Sequence, residues 1–134
     1  MEFNSPPELN DRIVKLGFSS DIAIPADIDF SPYQPGLREG VDIAVLFDET
    51  CVNPEGADCA FLRYQAGAFV PGHVHMGYET VLVLQGDYIE NGQTFSPGSF
   101  IVRAPGTCHS MASTNGCLIL ASRYKPVKQL TEYK

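Results

Sequence analysis

Tryptophan is absent from the sequence, histidine occurs three times, and basic residues are scarce. Nine lysines and arginines face sixteen aspartates and glutamates, a formal net charge of −7. That balance lacks the basic footprint that a nucleic acid or an anionic membrane demands, so neither is an expected partner. Long apolar runs are missing too, and none approaches the ~20 residues of a membrane helix. The start, MEFNSPPELNDRIV, has no basic region and no apolar core of the kind an export signal carries. A cytoplasmic protein is expected. The four cysteines, Cys51, Cys59, Cys108 and Cys117, form no CxxC pair, which argues against a Cys-rich zinc knuckle. Reduced thiols are the expectation in that compartment, with a Cys51–Cys59 disulfide as the alternative.

What is present fits one globular domain: 134 residues, 44% hydrophobic and 19% charged. Ser5-Pro6-Pro7-Glu8 reads as a capped helix start, with Leu9, Ile13 and Leu16 on one face and Gly17 as the stop. Residues 25–40 hold three prolines and two glycines and are expected to form an irregular, wrapping segment. The expected organisation is an N-terminal helix and arm over 1–40, a β-barrel over 41–125 and a tail over 126–134.

From Val41 onward the pattern is β. Strands are expected at Val41–Phe47, Cys59–Tyr64, Thr80–Leu84, Asp87–Glu90, Gln93–Phe95, Phe100–Arg103, Cys108–Met111 and Cys117–Ala121. Asn91-Gly92 is the strongest hairpin signal among them. Short strands at regular spacing predict an all-β sandwich or barrel. Val81–Leu84 and Leu118–Leu120 are apolar at successive positions, so both faces need cover. A second sheet, the N-terminal segment or another subunit could supply it, and a homodimer is expected.

All three histidines fall within one stretch. His73 and His75 are two apart, so on a strand they share a face. Glu79 follows after Gly77, and His109 comes after the Pro105-Gly106 turn. Three imidazoles and one carboxylate suit Zn²⁺, Fe²⁺, Mn²⁺ or Ni²⁺. Ca²⁺ and Mg²⁺ prefer all-oxygen shells. Phe61, Arg63, Tyr78, Phe100, Val102 and Met111 lie on or beside strands near these residues and are the candidate cavity lining. A buried Arg63 would orient an anionic or enolate ligand; an outward-facing Arg63 is the alternative. Alternation turns Cys108 away from the face of His109, and a buried structural thiol is expected there. Cys117 reads as core.

Gly67, His73, His75, Glu79 and Gly86 stand at the spacing G-x5-H-x-H-x3-E-x6-G, which resembles the first signature of the cupin superfamily. In the second signature, G-x5-P-x-G-x2-H-x3-N, Gly98, Gly106 and His109 keep their places. Proline is displaced by one, to Pro105, and Ser113 stands for asparagine. The run from Phe61 to Gly86 is similar to the cupin domain of ChrR-type anti-sigma factors and of acetylacetone-cleaving dioxygenases. The resemblance implies a single-domain cupin, a double-stranded β-helix or jelly-roll barrel. It also implies one divalent metal, Fe²⁺ or Zn²⁺ before Mn²⁺ or Ni²⁺, on His73, His75, Glu79 and His109. Acetylacetone-cleaving enzymes use three histidines, whereas ChrR-type zinc sites include the carboxylate.

Two functions follow from the resemblance. One is a metal-dependent dioxygenase, or related C–C cleaving enzyme, acting on a small diketone or hydroxyketone. The other is a non-enzymatic metal-containing sensor or ligand-binding module. Residues 1–50 contain no His and no Cys and are too few for a helical anti-sigma domain, so a complete factor of that type is not expected.

Overall fold

The structure is a computed structural model that describes residues 10–18, 20–34, 36 and 38–129. It consists of one curled sheet with eleven strands. In chain order these are β1 (Arg12–Lys15), β2 (Ser31–Pro32), β3 (Glu39–Asp48), β4 (Asp58–Val74), β5 (Glu79–Gly86), β6 (Tyr88–Glu90), β7 (Gln93–Phe95), β8 (Ser99–Arg103), β9 (Cys108–Ala112), β10 (Cys117–Arg123) and β11 (Lys128–Gln129). A 3₁₀ turn, Glu49–Cys51, follows β3, capped by Asp48 accepting from the Thr50 amide.

Pairing runs β1-β8-β5-β10-β4-β9-β6-β7, and every pair is antiparallel. The 17-residue β4 is the spine. Its first half lies between β3 and β10, and its second half pairs β9 and β11. Alternation then sorts the side chains. Val81, Val83, Ile101 and Ile119 point inward and are at most 1% exposed. Each such aliphatic contributes about 1.5–3 kcal/mol when fully buried. Tyr64 and Tyr88 meet edge to face among them, ring centroids 6.0 Å apart.

One register slip decides what faces the interior. On β4, Val70 pairs Met111 of β9, and His73 pairs His109. Two residues, Pro71 and Gly72, therefore oppose the single Ser110, which is a β-bulge. Pro71 is tolerated there because the bulge spares it a ladder hydrogen bond. Buried side chains fall at Ala68 and Val70 before the bulge and at His73 and His75 after it. Without the extra residue, both histidines would sit on the face opposite to Val70.

The expected helix is replaced. Its first part, Ser5–Leu9, lies outside the described residues. Arg12–Lys15 is a strand, running antiparallel to β8 from Arg12↔Val102 to Lys15↔Ser99. A short helix has a costly nucleus and would have to bury Ile13 and Leu16, which here stay 46% and 40% exposed. As a strand, the segment satisfies its own backbone and closes the free edge of β8. The arm continues across the outside of the barrel, where the Leu16 amide donates to Gly98 O (2.8 Å) and the Ile22 amide to Leu84 O (2.9 Å). Cover near Leu84 therefore comes from the chain itself. All four cysteines are free. Cys117 is core, as expected, but Cys108 is exposed rather than buried, because the outer face of β9 is open at that point. No helix among the described residues is long and apolar enough to cross a membrane.

Gly86 has φ +76°, and a Cβ there would come within 2.0 Å of Gly116 O. Gly67 has φ +81° with open space around it. Gly86→Ala should cost at least about 2 kcal/mol in urea unfolding, and Gly67→Ala only the ~1 kcal/mol of its backbone conformation. Equal costs would show that Gly86 is not a close-approach position.

Candidate metal centre

Three strands deliver the site. β4 supplies His73, with His75 just past its end, β9 supplies His109 directly across from His73, and β5 opens with Glu79. All four side chains are buried, with exposures of 1%, 1%, 6% and 5%. The His73 and His75 rings stack with centroids 5.1 Å apart, and His75 meets His109 edge-on at 5.0 Å. The backbone of His75 is clamped by its amide to Thr107 O (2.9 Å) and by the Gly106 amide to its carbonyl (2.7 Å). The two signature segments are thereby tied together beside the site.

Burial and charge set the protonation states. Desolvation, followed by the Arg38 charge, lowers His73 to about 4, and desolvation with the neighbouring imidazoles lowers His75 to about 3. His109 is lowered by the same burial and by Arg103. At neutral pH all three rings are neutral, the form that ligates metal. Glu79 moves the other way, to about 8, through burial first and the Glu90 charge second.

Glu79 sits in register between two arginines, Arg103 of β8 and Arg123 of β10. Neither pairs with it. Arg103 donates to Glu90 Oε2 through Nε (3.2 Å) and Nη2 (3.0 Å), and its Nη1 reaches Asp11 at 3.2 Å. Arg123 grips Asp58 through Nε (3.0 Å) and Nη2 (2.6 Å). Glu79 Oε1 is left 3.4 Å from His75 Nδ1 and outside hydrogen-bonding geometry. Buried polar atoms with no partner are costly. Here they are Glu79 Oε1, both His75 ring nitrogens, His109 Nε2 and Glu90 Oε1.

That donor chemistry fits a borderline divalent cation. The donors are not drawn together as they stand: no group of three or more His, Cys, Asp or Glu among the described residues is in metal-holding geometry. His73 Nδ1 lies 3.4 Å from Pro71 O, which favours the proton on Nδ1 and leaves Nε2 free to ligate. His109 is the exception. Asn91 Oδ1 accepts from the Ser110 amide (2.9 Å), and Asn91 Nδ2 donates to Cys108 O (3.2 Å). Those two backbone groups fix the amide so that its NH₂ faces His109 Nδ1 at 3.0 Å. Ligation through His109 Nε2 therefore requires Asn91 to turn over.

The candidate lining is redrawn. A cavity of about 430 Å³ is bordered by His73, Glu79 and Met111. Phe61, Arg63, Tyr78, Phe100 and Val102 do not line it. Alternation sends Ala60 and Leu62 inward on β4, so Phe61 and Arg63 face out. Arg63 lies over the Phe30 ring at 4.0 Å and pairs with Asp42 at 3.6 Å. Ser99 and Ile101 take the inner positions of β8, which turns Phe100 and Val102 outward. Tyr78 packs on Tyr124. The interior instead holds Glu90, bound by Arg103, and Arg38, which borders the cavity. Glu90 shares a face with the buried Tyr88 two residues earlier, a faint sequence signal. Nothing local marked Arg38.

The signs for stability are opposed. The histidines bind fewer protons folded than unfolded, so the stability tied to their neutral form grows as pH rises from about 4 to 6.5. Glu79 binds more protons when folded between its unfolded value near 4.5 and about 8, so its contribution falls as pH rises through that window. Chelator-treated protein should lose up to about 2 kcal/mol between pH 6.5 and 8, and Glu79→Gln should remove that decline. A flat profile in the parent protein would contradict the assignment.

The profile of the ChrR cupin-like domain matches residues 21–126. No curated protein matches the sequence. Among solved structures, the acetylacetone dioxygenase of Acinetobacter johnsonii superposes with a TM-score of 0.68 at 13% identity, over 95% of this chain and 83% of that one. The polyketide cyclase RemF of Streptomyces resistomycificus gives 0.65 at 16% identity, over 82% and 84%. Rhodobacter sphaeroides SigE in complex with the anti-sigma ChrR gives 0.58 at 26% identity, over 72% of this chain and 49% of that one. The curled antiparallel barrel, the paired signature segments and the profile agree: this chain belongs to the ChrR cupin-like domain family.

Proposed function

We propose that the chain is a metal-dependent dioxygenase, or a related C–C cleaving enzyme, acting on a small diketone or hydroxyketone. The observation that carries this reading is the unclaimed carboxylate of Glu79, set among three neutral buried imidazoles while both adjacent arginines are bound elsewhere. His73, His75, Glu79 and His109 would hold one divalent ion, iron in the oxygenase reading. Such an ion would supply the Lewis acidity that stabilises an enolate, together with the affinity for oxygen.

The chain's own residues do the rest. Leu62, Met111 and Ala121 give the cavity an apolar wall that seats a small carbonyl compound and excludes water. The Arg103–Glu90 pair keeps a cation at the back of the site without spending it on Glu79. Glu79 holds a proton at neutral pH, so occupation of the site by a cation is coupled to proton release.

A second reading, a metal-containing sensor without turnover, is favoured by the family match and by the likeness to a chain of the structure of SigE in complex with the anti-sigma ChrR. Zinc would be the metal there, and a protein the partner.

Metal analysis of protein purified from its own host, with no metal added, separates the two. Near-stoichiometric iron, with oxygen uptake on a diketone and hydroxyketone panel, supports the enzyme; zinc without uptake supports the sensor. His73→Ala and His109→Ala should each weaken metal binding at least about 100-fold. Zinc titration at pH 7 should release about one proton per ion, and none in Glu79→Gln. Alanine variants that bind metal as the parent does would remove the site altogether.

A further inference from the structure

The charges that border the cavity are Arg38, Arg123, Asp48, Asp58 and Glu79. Most are accounted for. Asp58 takes both ends of Arg123. Asp48, at the exposed rim, is occupied by the amide and hydroxyl of Thr50. Arg38 differs. The residue is 5% exposed, yet it forms no ion pair among the described residues. Its Nε donates to the neutral Gln34 Oε1 at 2.7 Å, and its guanidinium carbon lies 4.9 Å from the centre of the Tyr33 ring. Gln34 and Tyr33 orient the group, but neither supplies a negative charge. Its terminal nitrogens have no hydrogen-bond acceptor among the described residues.

A buried guanidinium without a counterion is expensive unless something supplies one. We propose that Arg38 is the anion-recognition residue of this cavity, and that the ligand is a small oxo-carboxylate whose carboxylate lies on Arg38 while its carbonyl faces the histidine–glutamate cluster. The planar fork of arginine matches a carboxylate bidentately. Charge balance points the same way. A divalent ion on three neutral imidazoles and one carboxylate leaves one positive charge, and Arg38 adds a second. A neutral diketone, even as its enolate, offsets one of them; an oxo-carboxylate that enolises offsets both. Arg63, the arginine first considered for this role, is on the surface with Asp42. The carbonyl half of this inference rests on the metal-site reading above; the carboxylate half does not.

The test uses protein loaded with zinc, which is redox-inert, so that binding is measured without turnover. 2-Oxobutyrate, its methyl ester and acetylacetone are titrated by calorimetry into the parent protein, Arg38→Gln, Arg38→Lys and the surface control Arg63→Gln. The parent should bind the acid at least tenfold more tightly than the ester. Arg38→Gln should lose at least tenfold for the acid and less than twofold for acetylacetone, with zinc content unchanged. Arg63→Gln should match the parent. Equal affinity for acid and ester, or an Arg38→Gln variant that keeps its affinity for the acid, overturns the proposal. Should Arg38→Gln fail to fold, Arg38→Lys and the acid-to-ester ratio in the parent decide it. A protein that takes up no zinc refutes the metal reading alone, because the acid and ester are then compared on the metal-free chain.

Discussion

Side chains alternate along a strand, so an odd interval between two inward residues arises only where the pairing slips. In β4 that slip is the Pro71-Gly72 bulge, and the site depends on it. Before it, Ala68 and Val70 build apolar core; after it, His73 and His75 take over the same face. His109 then needs no special device, since it lies across the ladder from His73 and two residues before Met111, the partner of Val70. One extra residue converts a strand that fills a barrel into a strand that equips it.

A second constraint acts on charge. Eight ionisable side chains, His73, His75, His109, Glu79, Glu90, Arg38, Arg103 and Arg123, face one interior. Such groups are tolerable only when each is paired or neutral. The chain pairs Arg103 with Glu90 and Asp11, pairs Arg123 with Asp58, and keeps the imidazoles neutral by burial. Glu79 and Arg38 are what remain, and the Glu79 carboxyl rises to about 8 through its burial and then the Glu90 charge. In the metal-site reading proposed above, the features that make the site unfavourable for the chain alone are those that would suit it to a cation.

Much of this was legible beforehand, and the exceptions share a cause. Most strand positions from Val41 to Ala121 followed from alternation and turn residues, although β4 runs on past Tyr64 to Val74, and the histidine–glutamate spacing pointed to one cluster. The N-terminal helix failed because Arg12–Lys15 was read for its own periodicity, whereas the free edge of β8 decided its conformation. Of the residues named for the cavity lining only Met111 borders it, for a related reason. Proximity in sequence to the histidines nominated Phe61, Arg63, Phe100 and Val102, but facing is a matter of register, and all four sit on odd steps from the inward set.

The sequence by itself determined a β-barrel of the cupin kind and nominated four side chains for one cluster, because strand period, turn chemistry and ligand spacing are local properties that need no partner. Which way those side chains point, which arginine is free and which is spent, and how strongly each group holds its proton were decided only by the tertiary structure. Those properties depend on cross-strand register, on a bulge that flips the facing, and on burial that joins Asp11, Arg38 and Asp58 to residues far away in the chain.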